Sequence, residues 1–179
     1  MKYLQYSGQK DEDIIQLFKE TFNDSEGEDE GKLISNLVSD FLNSDKQENI
    51  RVFVSVNEDK IIGCIIFSKI QFEQPHVRTF ILSPVAVATD YHGKGVGQTL
   101  INFAHSILRD EGVQIVLTYG DINFYSKVGY YQISEEIIKA PLKLSYPHGW
   151  LAQSLQAKAI QPINEQTFCE APLNKQEYW

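Results

Sequence analysis

Cysteine is scarce in this chain of 179 residues: there are two, Cys64 and Cys169, far apart and with no CxxC pair. That leaves no disulfide framework to organise the fold and fits a reducing compartment. Long hydrophobic runs are also missing. No segment approaches the roughly 18 uninterrupted apolar residues of a membrane span, and the opening MKYLQYSGQKDED has no apolar stretch of the signal-peptide kind. The expectation is a soluble cytoplasmic protein that does not engage a membrane. Positive charge is in deficit, with 16 Lys and Arg against 24 Asp and Glu and a net charge of −8. Nucleic-acid backbone is therefore not an expected partner, since it is bound by clustered cations, whereas a cationic substrate such as an amine suits the acidity. The four histidines, His76, His92, His105 and His148, show no ligand spacing with cysteines or carboxylates, and no metal is expected.

What remains is an ordinary globular composition, 42% apolar and 22% charged, long enough to enclose one core. Residues 1–160 read as a single domain and 161–179 as a C-terminal tail packed on it. Ile14, Leu17, Phe18, Thr21 and Phe22 recur at helical spacing, and so do Leu33, Ile34, Leu37, Val38, Phe41 and Leu42. Between these two amphipathic helices, Asn23 to Gly31 (NDSEGEDEG) reads as an exposed acidic loop. The period then changes. Residues 50–56 alternate, residues 57–60 supply a turn, and residues 61–67 are nearly all apolar, which predicts a hairpin with a buried second strand. Phe80 to Val87 predicts a strand in which Pro84 cannot donate to a ladder, so a bulge or splay is expected there. A glycine-rich turn, a long helix with Leu100, Ile101, Ala104, Ile107 and Leu108 on one face, and a strand from Ile115 follow. A short helix over 123–127, stopped by Gly129, and late strands over 130–133 and 137–144 complete the series. This order is α+β, or mixed α/β, with one central, mostly antiparallel, twisted sheet flanked by helices.

The segment richest in chemistry runs from Val85 through Ala86 and Val87 to His92-Gly93-Lys94-Gly95-Val96-Gly97-Gln98-Thr99. A strand enters a turn with three glycines and an amphipathic helix leaves it at once. Glycines allow positive φ and close approach of a ligand to the backbone. The unpaired N–H groups of the helix start, with the helix dipole behind them, favour an anion. The pattern predicts a phosphate or diphosphate site. It is not a Walker A loop, because no Lys-Ser or Lys-Thr follows at the required spacing, nor a dinucleotide fingerprint, because GxGxG lacks the last spacing.

The run His92 to Gly97 resembles the pyrophosphate loop of the Gcn5-related N-acetyltransferase superfamily, written Gln/Arg-x-x-Gly-x-Gly/Ala, with His92 in place of Gln or Arg. About 30 residues on, Asn123-Phe-Tyr-Ser-Lys-Val-Gly-Tyr130 resembles the superfamily's later signature, Phe-Tyr-x-Lys-x-Gly-Phe, with Tyr130 replacing the final Phe. The likeness covers roughly residues 50–144. Pro84-Val-Ala-Val87, Gly120-Asp121 and Pro147-His-Gly-Trp-Leu151 are similar to a subgroup of small bacterial acetyltransferases.

The resemblance implies an acyl-CoA N-acyltransferase fold, with acetyl-CoA as co-substrate and an amine as acceptor. It implies that the backbone of Val85, Ala86 and Val87 pairs with pantetheine and supplies an oxyanion donor, and that residues 92–99 hold the diphosphate. Lys94, Asn123 and Lys127 become candidate CoA contacts, and Tyr125 the candidate general acid. An unperturbed phenol, with a pKa near 10, stays protonated where a thiol near 8.5 begins to ionise. The strand before the loop contains no carboxylate. Glu73, His76 and His148 are candidate bases by residue type alone, a water relay is the other route, and no base is assigned. The open readings are an N-acetyltransferase, a CoA-binding sensor with little turnover, and a nucleotide-binding domain of another fold that would take ATP or NAD in place of CoA. The aromatic C-terminal segment is a candidate surface for a homodimer.

Overall fold

The acidic stretch that reads as a loop is almost wholly helical. In the computed structural model, which describes residues 1–74 and 77–179, α1 (Asp11–Glu26) and α2 (Glu28–Leu42) are separated by Gly27 alone. Glu28, Asp29 and Glu30 fill the first turn of α2, where the helix dipole favours negative charge. Gly27 turns the chain at a φ of 98°. Gly31 is a close-approach residue: a Cβ there would lie 1.8 Å from Oδ1 of Asn23. Charge and glycine content suggest a loop, but here both serve a helix corner.

The chain divides into two units, residues 1–67 with 84–104 and residues 68–83 with 105–179. In the first, β1 (Lys2–Gln5) runs antiparallel to β2 (Ile50–Asn57), with Lys2 opposite Val56. The turn into β3 (Lys60–Phe72) is made by Glu58 and Asp59, both at positive φ, as a two-residue hairpin requires. Phe18, Phe41, Phe53 and Phe67 are fully buried in this unit, with Phe53 and Phe67 edge to face at 6.1 Å.

The part of β4 (Thr79–Val87) that belongs to the second unit lies parallel to β5 (Ile115–Tyr119), from Thr79 opposite Ile115 to Leu82 opposite Thr118. Two parallel strands need a crossover, and α3 (Val96–Asp110) lies between them in sequence. Its residues Leu100, Ile101, Ala104 and Leu108 are fully buried, on the face the sequence marks. Next come the short α4 (Ile122–Tyr125), β6 (Tyr131–Gln132), β7 (Trp150–Ser154) and β8 (Thr167–Phe168). The strand order is β1-β2-β3-β4-β5-β7-β6, with β8 paired to β3. The expected α+β class with one mixed, mostly antiparallel sheet is present.

One further expectation changes. Residues 137–144 do not form a strand; their one ladder contact is a bridge from Ile138 to Ile163. Their backbone is satisfied by side chains instead. Trp150 Nε1 donates to the Ile138 carbonyl at 2.8 Å, Thr167 Oγ1 to that of Lys139 at 2.7 Å, and the Ala140 amide donates to Glu135 at 3.1 Å. The late strand is β7, whose sequence WLAQS has little β propensity and which is held from both sides by β5 and β6. The last aromatic, Trp179, packs within its own chain. Trp179 is 4% exposed, stacked on Tyr119 at 6.1 Å and packed against Trp150 at 6.0 Å. Among the described residues no helix is long and apolar enough to cross a membrane.

Candidate functional site

Pairing of β4 with β5 stops at Leu82, just before Pro84, while β4 continues to Val87. Past that point Pro84 and Ala86 are buried, and Val85 and Val87 are half-buried. The strand end is tied down within its own unit. The Ala88 amide donates to the Ile62 carbonyl at 2.8 Å, and Thr21 Oγ1 from α1 reaches the Val87 carbonyl at 3.4 Å. Thr89 Oγ1 donates to Asp24 Oδ2 at 2.6 Å, which brings a helix carboxylate to the residue two past the strand.

A single helical turn over Thr89–Tyr91 leads into the glycine loop. Gly93 and Gly95 take φ values of 71° and 75°. A Cβ at either would meet nothing within 4 Å, so the requirement is conformational and space is not the constraint. Helix α3 then begins at Val96. Its first intrahelical bond runs from the Thr99 amide to the Gly95 carbonyl at 3.0 Å, reinforced by Thr99 Oγ1 at 2.9 Å. At the other end the His92 amide donates to Thr89 at 3.1 Å. These two amides are occupied. Residues 92–95 form a turn, and α3 begins at Val96, so the amides at its start have no preceding helical turn to supply their usual acceptors. The His92 ring is directed back, Nε2 lying 2.6 Å from the Val87 carbonyl. Lys94 Nζ sits 5.0 Å above the Tyr91 ring, whose hydroxyl accepts from Asn57 Nδ2 at 3.1 Å.

In the second unit, β5 ends at Tyr119 and the chain turns sharply. Gly120 donates to the Gly149 carbonyl at 3.0 Å, and Asp121 caps α4 through Oδ1, which accepts from the Asn123 amide at 2.9 Å. Gly129, at a φ of 95°, ends the following turn in the left-handed manner of a helix C-cap. Tyr125 is half-buried between Phe124 (rings 5.0 Å apart, 83°) and Tyr130 (5.6 Å, 72°). Burial of the phenol, with the Asp121 charge adding to it and a hydrogen bond with Thr118 opposing it, pushes its pKa up to about 12. The Tyr125 phenol is thus neutral at physiological pH. Asn123 and Lys127 are exposed on the same short helical segment.

The candidate bases scatter. Glu73 is exposed, His76 lies outside the described residues, and His148 is exposed with Nδ1 3.2 Å from Gln132 Nε2. Neither cysteine offers a thiolate. Burial drives the Cys64 thiol well above its usual range and the Cys169 thiol up to about 11. A half-open groove of about 520 Å³ lies by Ile115 and Ser154, at the opposite end of β5 from Tyr119, and takes no part in the Tyr125 region. Sequence reasoning missed Thr118, Thr21 and Asp24, since only the fold brings them to these positions. It also missed the Tyr130 partner, His105, whose Nε2 lies 3.0 Å from the phenol oxygen.

The family model described as acetyltransferase (GNAT) family matches residues 12–130. Over 131 residues the chain is 30% identical to the uncharacterized N-acetyltransferase YjhQ of Escherichia coli (strain K12), covering 70% of this chain and 72% of that protein. Its fold is similar to that of the GNAT family N-acetyltransferase YhbS of Escherichia coli in complex with CoA. The TM-score is 0.83 at 18% identity, over 98% of this chain and 92% of that one. A GNAT family acetyltransferase from Brucella melitensis in complex with acetyl-CoA gives a TM-score of 0.69 at 18% identity, covering 97% of both chains. The glycine loop, the capped aromatic turn and these likenesses converge on one conclusion: this chain belongs to the GNAT family of N-acetyltransferases.

Proposed function

We propose that this protein transfers an acetyl group from acetyl-CoA to a primary amine of a small molecule, peptide or protein by direct attack. The observation that carries the reading is the strand–glycine turn–helix order, with Gly93 and Gly95 at positive φ immediately before the start of α3 at Val96. Such an order suits a diphosphate. CoA and acetyl-CoA in the two related structures support the same ligand. No metal is part of the proposal.

The thioester supplies the activated acyl carbon. Around it, the backbone of Val85, Ala86 and Val87, beyond the last β4–β5 pair, would receive the pantetheine amides as an added strand and offer an N–H to the tetrahedral oxyanion. Lys94, Gln98, Thr99, Asn123 and Lys127 would contact the phosphates and the arm, and His92 would shape the loop. The amine nitrogen–carbon bond forms and the carbon–sulfur bond breaks. The amine gives up a proton to solvent or to a base, and the departing sulfur takes a hydrogen bond from Tyr125.

The pKa of Tyr125 limits what it does. A phenol near 12 facing a thiol near 8.5 makes complete proton transfer uphill by about 5 kcal/mol. Tyr125 therefore stabilises the developing thiolate as a hydrogen-bond donor, with the proton arriving afterwards from solvent. Release of free CoA thiol from acetyl-CoA across a panel of primary amines tests the proposal. Amine-dependent release is expected; tight CoA binding with no release from any amine would instead mark a sensor.

A further inference from the structure

Gly120 and the buried Tyr130–His105 pair lie outside the expected CoA contacts, yet all three bear on one ring. Gly120 does not occupy the left-handed region, so its backbone makes no demand for glycine. A Cβ there would lie 2.8 Å from Cε2 of Tyr125, closer than packed carbon atoms approach, with Cδ2 at 3.5 Å and Cζ at 3.8 Å in ordinary contact. The ring cannot simply retreat. Phe124 and Tyr130 stand nearly perpendicular to it at 5.0 and 5.6 Å, and the Tyr125 carbonyl accepts from the Tyr130 amide at 3.1 Å. Tyr130 is itself fixed. It is 2% exposed and its hydroxyl lies 3.0 Å from Nε2 of His105, a residue 3% exposed at the middle of α3.

We infer that Gly120, Tyr130 and His105 are positioning residues for Tyr125, holding its phenol where it can donate to the CoA sulfur. The missing side chain at 120 admits the ring, and the hydroxyl–imidazole contact locks the wall behind it. The substitution of Tyr for the usual Phe at position 130 acquires a reason, since the extra hydroxyl has a buried partner waiting. This inference rests on the proposed role of Tyr125 and deepens it.

The test needs no acceptor. CoA carrying carbon-13 on the carbon next to sulfur is bound to the protein, and its thiol is titrated by NMR. A phenol donating to the thiolate lowers the bound thiol pKa by about one unit. Wild type should therefore titrate about one unit below Tyr125→Phe. Gly120→Ala should move to the Tyr125→Phe value, and adding Gly120→Ala to Tyr125→Phe should change nothing further. Tyr130→Phe, which keeps the ring and loses the hydroxyl, should fall between the two. It serves also as the check if Gly120→Ala does not fold. If Tyr125→Phe titrates like wild type, the role of Tyr125 is wrong. If Tyr125→Phe shifts while folded Gly120→Ala and Tyr130→Phe both match wild type, the positioning inference alone is overturned. Absence of CoA binding to wild type overturns both.

Discussion

His92 Nε2 lies 2.6 Å from the carbonyl oxygen of Val87, so the ring closes the glycine loop back onto the strand that enters it. A carbonyl only accepts, and Nε2 must therefore carry the hydrogen. In the resembling motif a Gln or Arg stands at this position, and both are also donors. Replacing His92 by alanine should weaken acetyl-CoA binding about fivefold, the loss of one ordinary hydrogen bond of about 1 kcal/mol, with little change in kcat. His92→Gln should recover most of it. Calorimetric titration of both variants decides.

Gly95 sits at a φ of 75° with open space around its Cα. Gly95→Ala should therefore cost backbone strain of about 1–2 kcal/mol without a clash. The expected result is a lower melting temperature together with weaker acetyl-CoA binding. Gly95→Asn should be milder on both counts, because Asn tolerates the left-handed region. Equal losses in the two variants would mean that side-chain bulk is the cause.

Tyr125→Phe removes a hydrogen bond to a developing negative charge and should lower kcat about 10- to 100-fold. The KM for acetyl-CoA should hold, since the contact forms only as the sulfur leaves. With the phenol near pKa 12, wild-type kcat should show no loss of activity on the alkaline side up to about pH 10 that can be assigned to Tyr125. Steady-state kinetics on any accepted amine measure both.

Much of this site is legible in the sequence because its chemistry is local. Positive φ at Gly93 and Gly95 and the helix that follows are set within a few residues, and each stands as the pattern suggests. The crossover from β4 to β5 was legible for the same reason. What escaped depends on contacts distant in sequence. β7 has weak strand character of its own and is a strand because β5 and β6 pair with it. Asn23 to Gly31 carries loop composition, yet Gly31 is a glycine because Asn23 packs against it. Thr118 meets Tyr125 and Asp24 meets Thr89 only once the chain has folded. Tyr130 did carry a signal, since an unexpected hydroxyl in a core position requires a partner.

His105 supplies a pH-dependent stability term. Its burial first, and then the nearby Arg109 charge, lower its pKa from 6.5 to about 4. The unfolded chain binds the proton more readily than the native one in that interval, so stability is full above about pH 6.5 and is lost as pH falls toward 4. The loss from this residue amounts to about 3 kcal/mol. Chemical denaturation of wild type and His105→Gln at pH 7.5 and pH 4.5 should show a smaller acid loss in the variant.

The most direct test of the account is an amide-resolved NMR titration with acetyl-CoA. It should move the backbone amides of Gly93 to Gln98 more than those elsewhere in the loop and in α3, in proportion to site occupancy, and ATP or NAD at equal concentration should not displace the ligand. Binding that leaves those six amides in place, or that ATP or NAD competes away, would contradict it.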